Sequence, residues 1–133
     1  MIGIVVVTHG ALAGELVNAA RTIVGDIPHI AAVSIGWSDD VSAAREAIAR
    51  ALEDVGGEQS LILTDMFGGT PTNVSLPFLS PRVEIVTGVN LPMLLKLSVL
   101  RGSGNSIVQL AHDLAEAGQR SIGHVSESLR RLG

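Results

Sequence analysis

Cysteine is absent from this chain of 133 residues. Disulfides, thiolate metal sites and cysteine nucleophiles are thereby excluded. Aromatic residues are almost as scarce, at 2% with no tyrosine, leaving Trp37, Phe67 and Phe78. A chain that is nonetheless 47% hydrophobic must build its core from Val, Ile, Leu and Ala. Lys96 is the only lysine, and the net charge is −4 from 13 acidic and 9 basic residues. No cluster of Lys and Arg forms, so a nucleic-acid partner is not expected. Long apolar runs are missing too. The longest, Leu91–Leu100, is interrupted by Pro92, Lys96 and Ser98, whereas a membrane span needs about 20 apolar residues. The first residues lack the basic stretch of a signal peptide, so a cytoplasmic protein is expected.

What the chain does hold is alternation of strand and helix patterns. Met1–Val7 is a continuous apolar run rich in β-branched residues, as in a strand covered on both faces. Leu12, Leu16, Ala19, Ala20 and Ile23 then make a helical stripe that Gly25 ends. Ile30–Ile35 reads as a second strand. Val41, Ala44, Ile48, Ala51, Leu52 and Val55 form a second amphipathic helix, closed by Gly56-Gly57. Ser60–Thr64 is a third strand, and Thr70-Pro71 reads as an N-cap followed by a first-turn proline. Arg82–Val86 is a fourth strand, with helices predicted from Leu91 to Gly102 and from Asn105 to Ala117. A short strand and a frayed helix are expected in Ser121–Gly133. This order implies one doubly wound α/β domain over 1–133, with a mainly parallel sheet and helices on both faces.

In such sheets, ligands gather at the carboxyl ends of the strands, where the winding direction reverses. Three loops lie there: Thr8–Ala11, Asp65–Thr70 and Thr87–Asn90. His9 leaves strand one, and alone it could equally cap a strand or helix. Asp65 leaves strand three, and alone it suits an Asx-turn. In the flavodoxin-like order 2-1-3-4 the two face each other, and the carboxylate would fix the imidazole tautomer and sharpen the other nitrogen as a nucleophile. Gly68-Gly69 lets the backbone approach a ligand, and the following helix start offers N–H groups to an anion; alone this is an ordinary glycine turn. Together the three features describe a nucleophilic imidazole, its orienter and a phosphate-sized anion site. Gly10 and Gly14 lack dinucleotide-fingerprint spacing, and neither a Gly-Lys-Ser/Thr phosphate loop nor a Gly-x-Ser-x-Gly elbow occurs. No metal and no cofactor are expected. Met66, Phe67 and Trp37 read as packing, rim or contact residues rather than as chemistry.

Three motifs, V-V-V-T-H-G at 5–10, T-D-M-F-G-G-T-P-T-N at 64–73 and T-G-V-N-L-P-M-L at 87–94, resemble those of the mannose-family enzyme IIA (fructose-type IIA component) of the sugar phosphotransferase system. The match runs from Ile2 to about Ala117. The resemblance implies that His9 accepts a phosphoryl group from the histidine-containing phosphocarrier protein and passes it to enzyme IIB at a membrane permease. It further implies that Asp65 orients His9, that Gly68, Gly69 and Thr70 contact the phosphoryl group, and that the protein is a homodimer exchanging a strand at Ser121–Val125. Thr72 departs from the pattern, since members often carry an aromatic residue there. The same site would serve a regulatory phosphorelay without transport, the phosphoryl-donor subunit of a dihydroxyacetone kinase, or a small anion- or flavin-binding protein.

Overall fold

The computed structural model describes residues 1–132. Four strands, β1 (Gly3–His9), β2 (Ile30–Ile35), β3 (Ser60–Thr64) and β4 (Val83–Thr87), form one sheet in the order β2-β1-β3-β4. All three pairings are parallel. The helices are α1 (Leu12–Val24), α2 (Val41–Val55), α3 (Thr70–Ser75), α4 (Leu91–Arg101), α5 (Ile107–Arg120) and α6 (Val125–Leu132). This is the flavodoxin-like α/β architecture expected from the pattern.

Strand alternation decides what each face meets, because successive side chains point to opposite sides of the sheet. Ile4 and Val6 of β1, with Leu61 and Leu63 of β3, pack against α1, α4 and α5. Val5, Val7 and Ile62 pack against α2 and Val74 of α3. Thr8 continues the even face, and its hydroxyl accepts the Ala13 N–H of α1 at 2.7 Å. His9 continues the odd face, toward the loops that open α2 and α3. The direction of the imidazole therefore follows from a period of two.

Several boundaries move by a residue or more. The fourth strand begins at Val83 rather than Arg82, and the helix expected from Asn105 to Ala117 runs from Ile107 to Arg120 with Ser106 as its N-cap. The helix opening the Pro71 segment stops at Ser75, followed by a 3₁₀ turn at Leu76–Phe78. At the C-terminus the short strand expected within Ser121–Val125 does not form in the single chain. Residues 122–124 adopt no regular structure, and α6 follows from Val125. Ile122, Val125, Leu129 and Leu132 are exposed there.

Candidate active site

β1 and β3 are neighbours, with Val7 opposite Thr64, so the residues that leave them meet at one edge. One carboxylate oxygen of Asp65, Oδ2, accepts two hydrogen bonds from His9: the backbone N–H at 3.0 Å and the ring Nδ1 at 2.8 Å. The donor at the ring is Nδ1–H, since an ionised carboxylate only accepts. When the imidazole is neutral, its lone pair therefore lies on Nε2. The side chains of His9 and Asp65 are 22% and 13% exposed, so the pair is sheltered but reachable.

Burial tends to raise the Asp65 carboxyl pKa, and the other Asp65 oxygen, Oδ1, is buried without a hydrogen-bond partner among the described residues. The two hydrogen bonds from His9 and the attraction of its ring charge act the other way and prevail, holding the carboxyl below its ordinary value. Asp65 is thus a poorly solvated carboxylate whose charge falls on the imidazole. No Lys or Arg among the described residues pairs with either side chain.

A hydroxyl chain holds the loop after β3 in place. Thr72 Oγ1 donates to the Met66 carbonyl at 2.6 Å, so the Thr64 hydroxyl must be the donor in its 2.7 Å contact with Thr72. Thr72 is buried, which turns its departure from the aromatic pattern into an interior matter rather than one of surface. Gly68 takes a left-handed φ of +81°, suited to glycine. Gly69 lies against the imidazole: a Cβ there would sit 2.8 Å from His9 Cε1 and 3.3 Å from Nε2. The backbone of Gly69 therefore passes directly beside Nε2.

Thr70 differs from expectation. Gly69 is the N-cap of α3, extended at φ −87° and ψ 169°, and Thr70 is the first helical residue. Its side chain is exposed rather than turned back to cap the helix. The Thr87–Asn90 loop reaches the same edge but is tied elsewhere: Val89 N–H donates to the Thr64 carbonyl at 2.8 Å, and the Asn90 amide donates to Gly118 and Ser121 beside α5. The other histidines stand apart from His9. His29 Nδ1 bonds the Val55 carbonyl, and His112 and His124 pair with Glu116 and Glu127.

Trp37 is the residue that sequence reasoning missed. β2 runs beside β1 with Ile35 opposite His9, and Trp37 follows two residues later. Its indole stacks on the imidazole, with ring centroids 5.3 Å apart and planes at 24°. The strand order already contained this signal, because β2 borders β1 and Trp37 lies just beyond its carboxyl end.

The family model described as "PTS system fructose IIA component" matches residues 3–125. The chain is 30% identical to a PTS system fructose-specific EIIA component of Bacillus subtilis, over 99% of this chain and 92% of that protein. It is 27% identical to a PTS system mannose-specific EIIAB component of Escherichia coli, of which it spans 38%. Among solved structures, the mannose/sorbose specific IIA subunit from Enterococcus faecalis superposes with a TM-score of 0.83 at 29% identity, over 92% of this chain and 93% of that one. Sequence and fold agree over nearly the whole length, and the chain belongs to the PTS fructose IIA component family.

Proposed function

We propose that the chain is a phosphoryl carrier in sugar uptake, accepting a phosphoryl group on His9 from the histidine-containing phosphocarrier protein and passing it to an enzyme IIB component. The observation that carries this reading is the 2.8 Å bond from His9 Nδ1 to Asp65, which leaves Nε2 as the free nucleophile at an exposed edge. In the forward step the Nε2 lone pair attacks phosphorus and the donor's P–N bond breaks, the donor nitrogen keeping the electron pair. Nδ1 keeps its proton, donated to the Asp65 carboxylate, whose charge balances the positive charge that the ring gains. The same step in reverse hands the group to the acceptor.

The equatorial oxygens need donors without a trap. The backbone N–H groups at Gly68, Gly69 and the start of α3, with the Thr70 hydroxyl, supply neutral donors, and the opening N–H groups of a helix lack intrahelical partners. No arginine stands in the loop from Asp65 to Thr70, so the group is held without an ion pair and leaves readily.

Enzyme IIB would come from a separate chain or a further domain; the mannose-specific relative is an EIIAB component. A cytoplasmic location, with membrane contact only through the permease, and a homodimer complete the proposal. Among the described residues no helix is long and apolar enough to cross a membrane, and the exposed apolar tail around α6 suits a second copy. The test is incubation with the phosphocarrier, its upstream kinase and labelled phosphoenolpyruvate. Label is expected on the wild type and lost in His9→Ala. Label retained in His9→Ala, or found on His29, overturns the proposal.

A further inference from the structure

We infer that Trp37 is a positioning residue for the phosphoryl transfer, clamping the His9 imidazole so that Nε2 keeps its aim; this rests on the reading of His9 as the phosphoryl acceptor. The imidazole is held at one nitrogen by Asp65, approached at its Cε1–Nε2 edge by the Gly69 backbone, and covered on a face by the Trp37 indole. Each contact limits a different motion. The Asp65 bond restrains Nδ1 but permits the ring to rock about that bond, and a stacked plane opposes rocking.

Trp37 is 85% exposed, so core burial does not explain its place. Its loop instead fixes where the indole stands. Gly36 N–H donates to Asp39 Oδ2 at 2.6 Å, and Asp39 N–H returns to the Gly36 carbonyl at 3.2 Å, closing a tight turn around Trp37. Gly10 N–H donates to the Ile35 carbonyl at 2.9 Å, tying that turn to the residue after His9. Asp40 caps α2 through Ser42 N–H at 3.3 Å, anchoring the other end. A short turn braced at both ends thus carries the indole onto the imidazole. Offset stacking at this separation is favourable, and more so when the ring turns cationic during transfer.

Two kinds of donor separate positioning from docking. Phosphoramidate is a small reagent with no docking surface; its P–N bond breaks as Nε2 attacks, and ammonia leaves with the electron pair. With it, Trp37→Ala is expected to lower the rate of His9 phosphorylation by about two- to tenfold, the range that a lost aromatic stack represents. Trp37→Phe keeps a stacking face and should restore most of the rate. The ring protons of His9, shifted upfield by the indole, should move downfield in Trp37→Ala without any phosphate present. Because Trp37 is exposed, both variants should fold. A phosphoramidate rate that is unchanged or raised in Trp37→Ala overturns the proposal, even when transfer from the protein donor falls, since Trp37 is then a docking residue. Unmoved ring-proton shifts overturn it as well. If the wild type takes no phosphate from the protein donor, the carrier reading fails, while the phosphoramidate and spectral comparisons still decide the role of Trp37.

Discussion

Replacing Asp65 by Asn isolates the carboxylate charge from the geometry it maintains. Both bonds from His9 end on one oxygen, Oδ2, at 3.0 and 2.8 Å. An Asn carbonyl in that position still accepts both, so the loop and the ring orientation survive while the charge disappears. A hydrogen bond to a charged group contributes about 1.5–3 kcal/mol, against about 0.5–1.5 kcal/mol for a neutral one. The difference, about 1–1.5 kcal/mol, corresponds to roughly a tenfold rate loss if it is expressed wholly in the transition state, where the imidazole gains positive charge. Asp65→Ala removes the acceptor altogether and leaves the partly buried His9 N–H unpaired, so it should lose more rate and also about 1–3 kcal/mol of stability. Initial rates of labelling from the phosphocarrier, alongside thermal melts, read both quantities. An Asp65→Asn protein that labels as fast as the wild type would refute the argument that the charge matters. A variant that fails to fold would refute the claim that Asn preserves the geometry.

Other substitutions probe the surroundings. Gly69→Ala meets no backbone strain at φ −87°, but its Cβ would press on His9 Cε1 at 2.8 Å. It should fold and lose about tenfold or more in phosphorylation rate, because displacing a reacting atom is costly; a wild-type rate contradicts the close approach. Thr72→Val breaks the Thr64–Thr72–Met66 hydroxyl chain and should cost about 1 kcal/mol, near 4 °C in melting temperature, with an unchanged melt counting against that chain. The Asp65 carboxyl lies below its ordinary value of 3.8 in the folded protein, so the unfolded chain takes up its proton first as pH falls. Its contribution to stability is therefore present above about pH 4 and is lost below it, as pH drops through the lower folded-state value. Melts between pH 7 and 3 should show a decline below about pH 4 that is shallower in Asp65→Asn; equal slopes would contradict the assignment.

The readable parts of this molecule were those governed by periodicity. The runs Ile30–Ile35 and Ser60–Thr64 are uninterrupted and bounded by turn residues, and both strands occupy those limits. The meeting of His9 and Asp65 follows from strand order, since each directly leaves one of two adjacent parallel strands. Trp37 escaped because an exposed indole stacked on a half-buried imidazole leaves no periodic trace; only the β2–β1 adjacency points to it. Thr72 escaped for a different reason. A threonine on a short helix gives no local sign of burial until its partners, Thr64 and the Met66 carbonyl, are brought within reach. At Thr70 the sequence signal for a cap was genuine, but Gly69, already extended, takes the position one residue earlier. The tail shows the limit of local patterning. A strand at Ser121–Val125 needs a neighbour to complete its hydrogen bonds, and a single chain offers none there.

The carrier chemistry proposed for His9 turns on which imidazole nitrogen becomes bonded to phosphorus. Long-range proton–nitrogen correlation spectra of the phosphorylated, nitrogen-15-labelled protein, with phosphorus coupling, assign that atom directly. The phosphoryl group is expected on Nε2 of His9, with Nδ1 still protonated toward Asp65. Phosphorus coupled to Nδ1 would show that the carboxylate does not hold that nitrogen during transfer and would contradict the account.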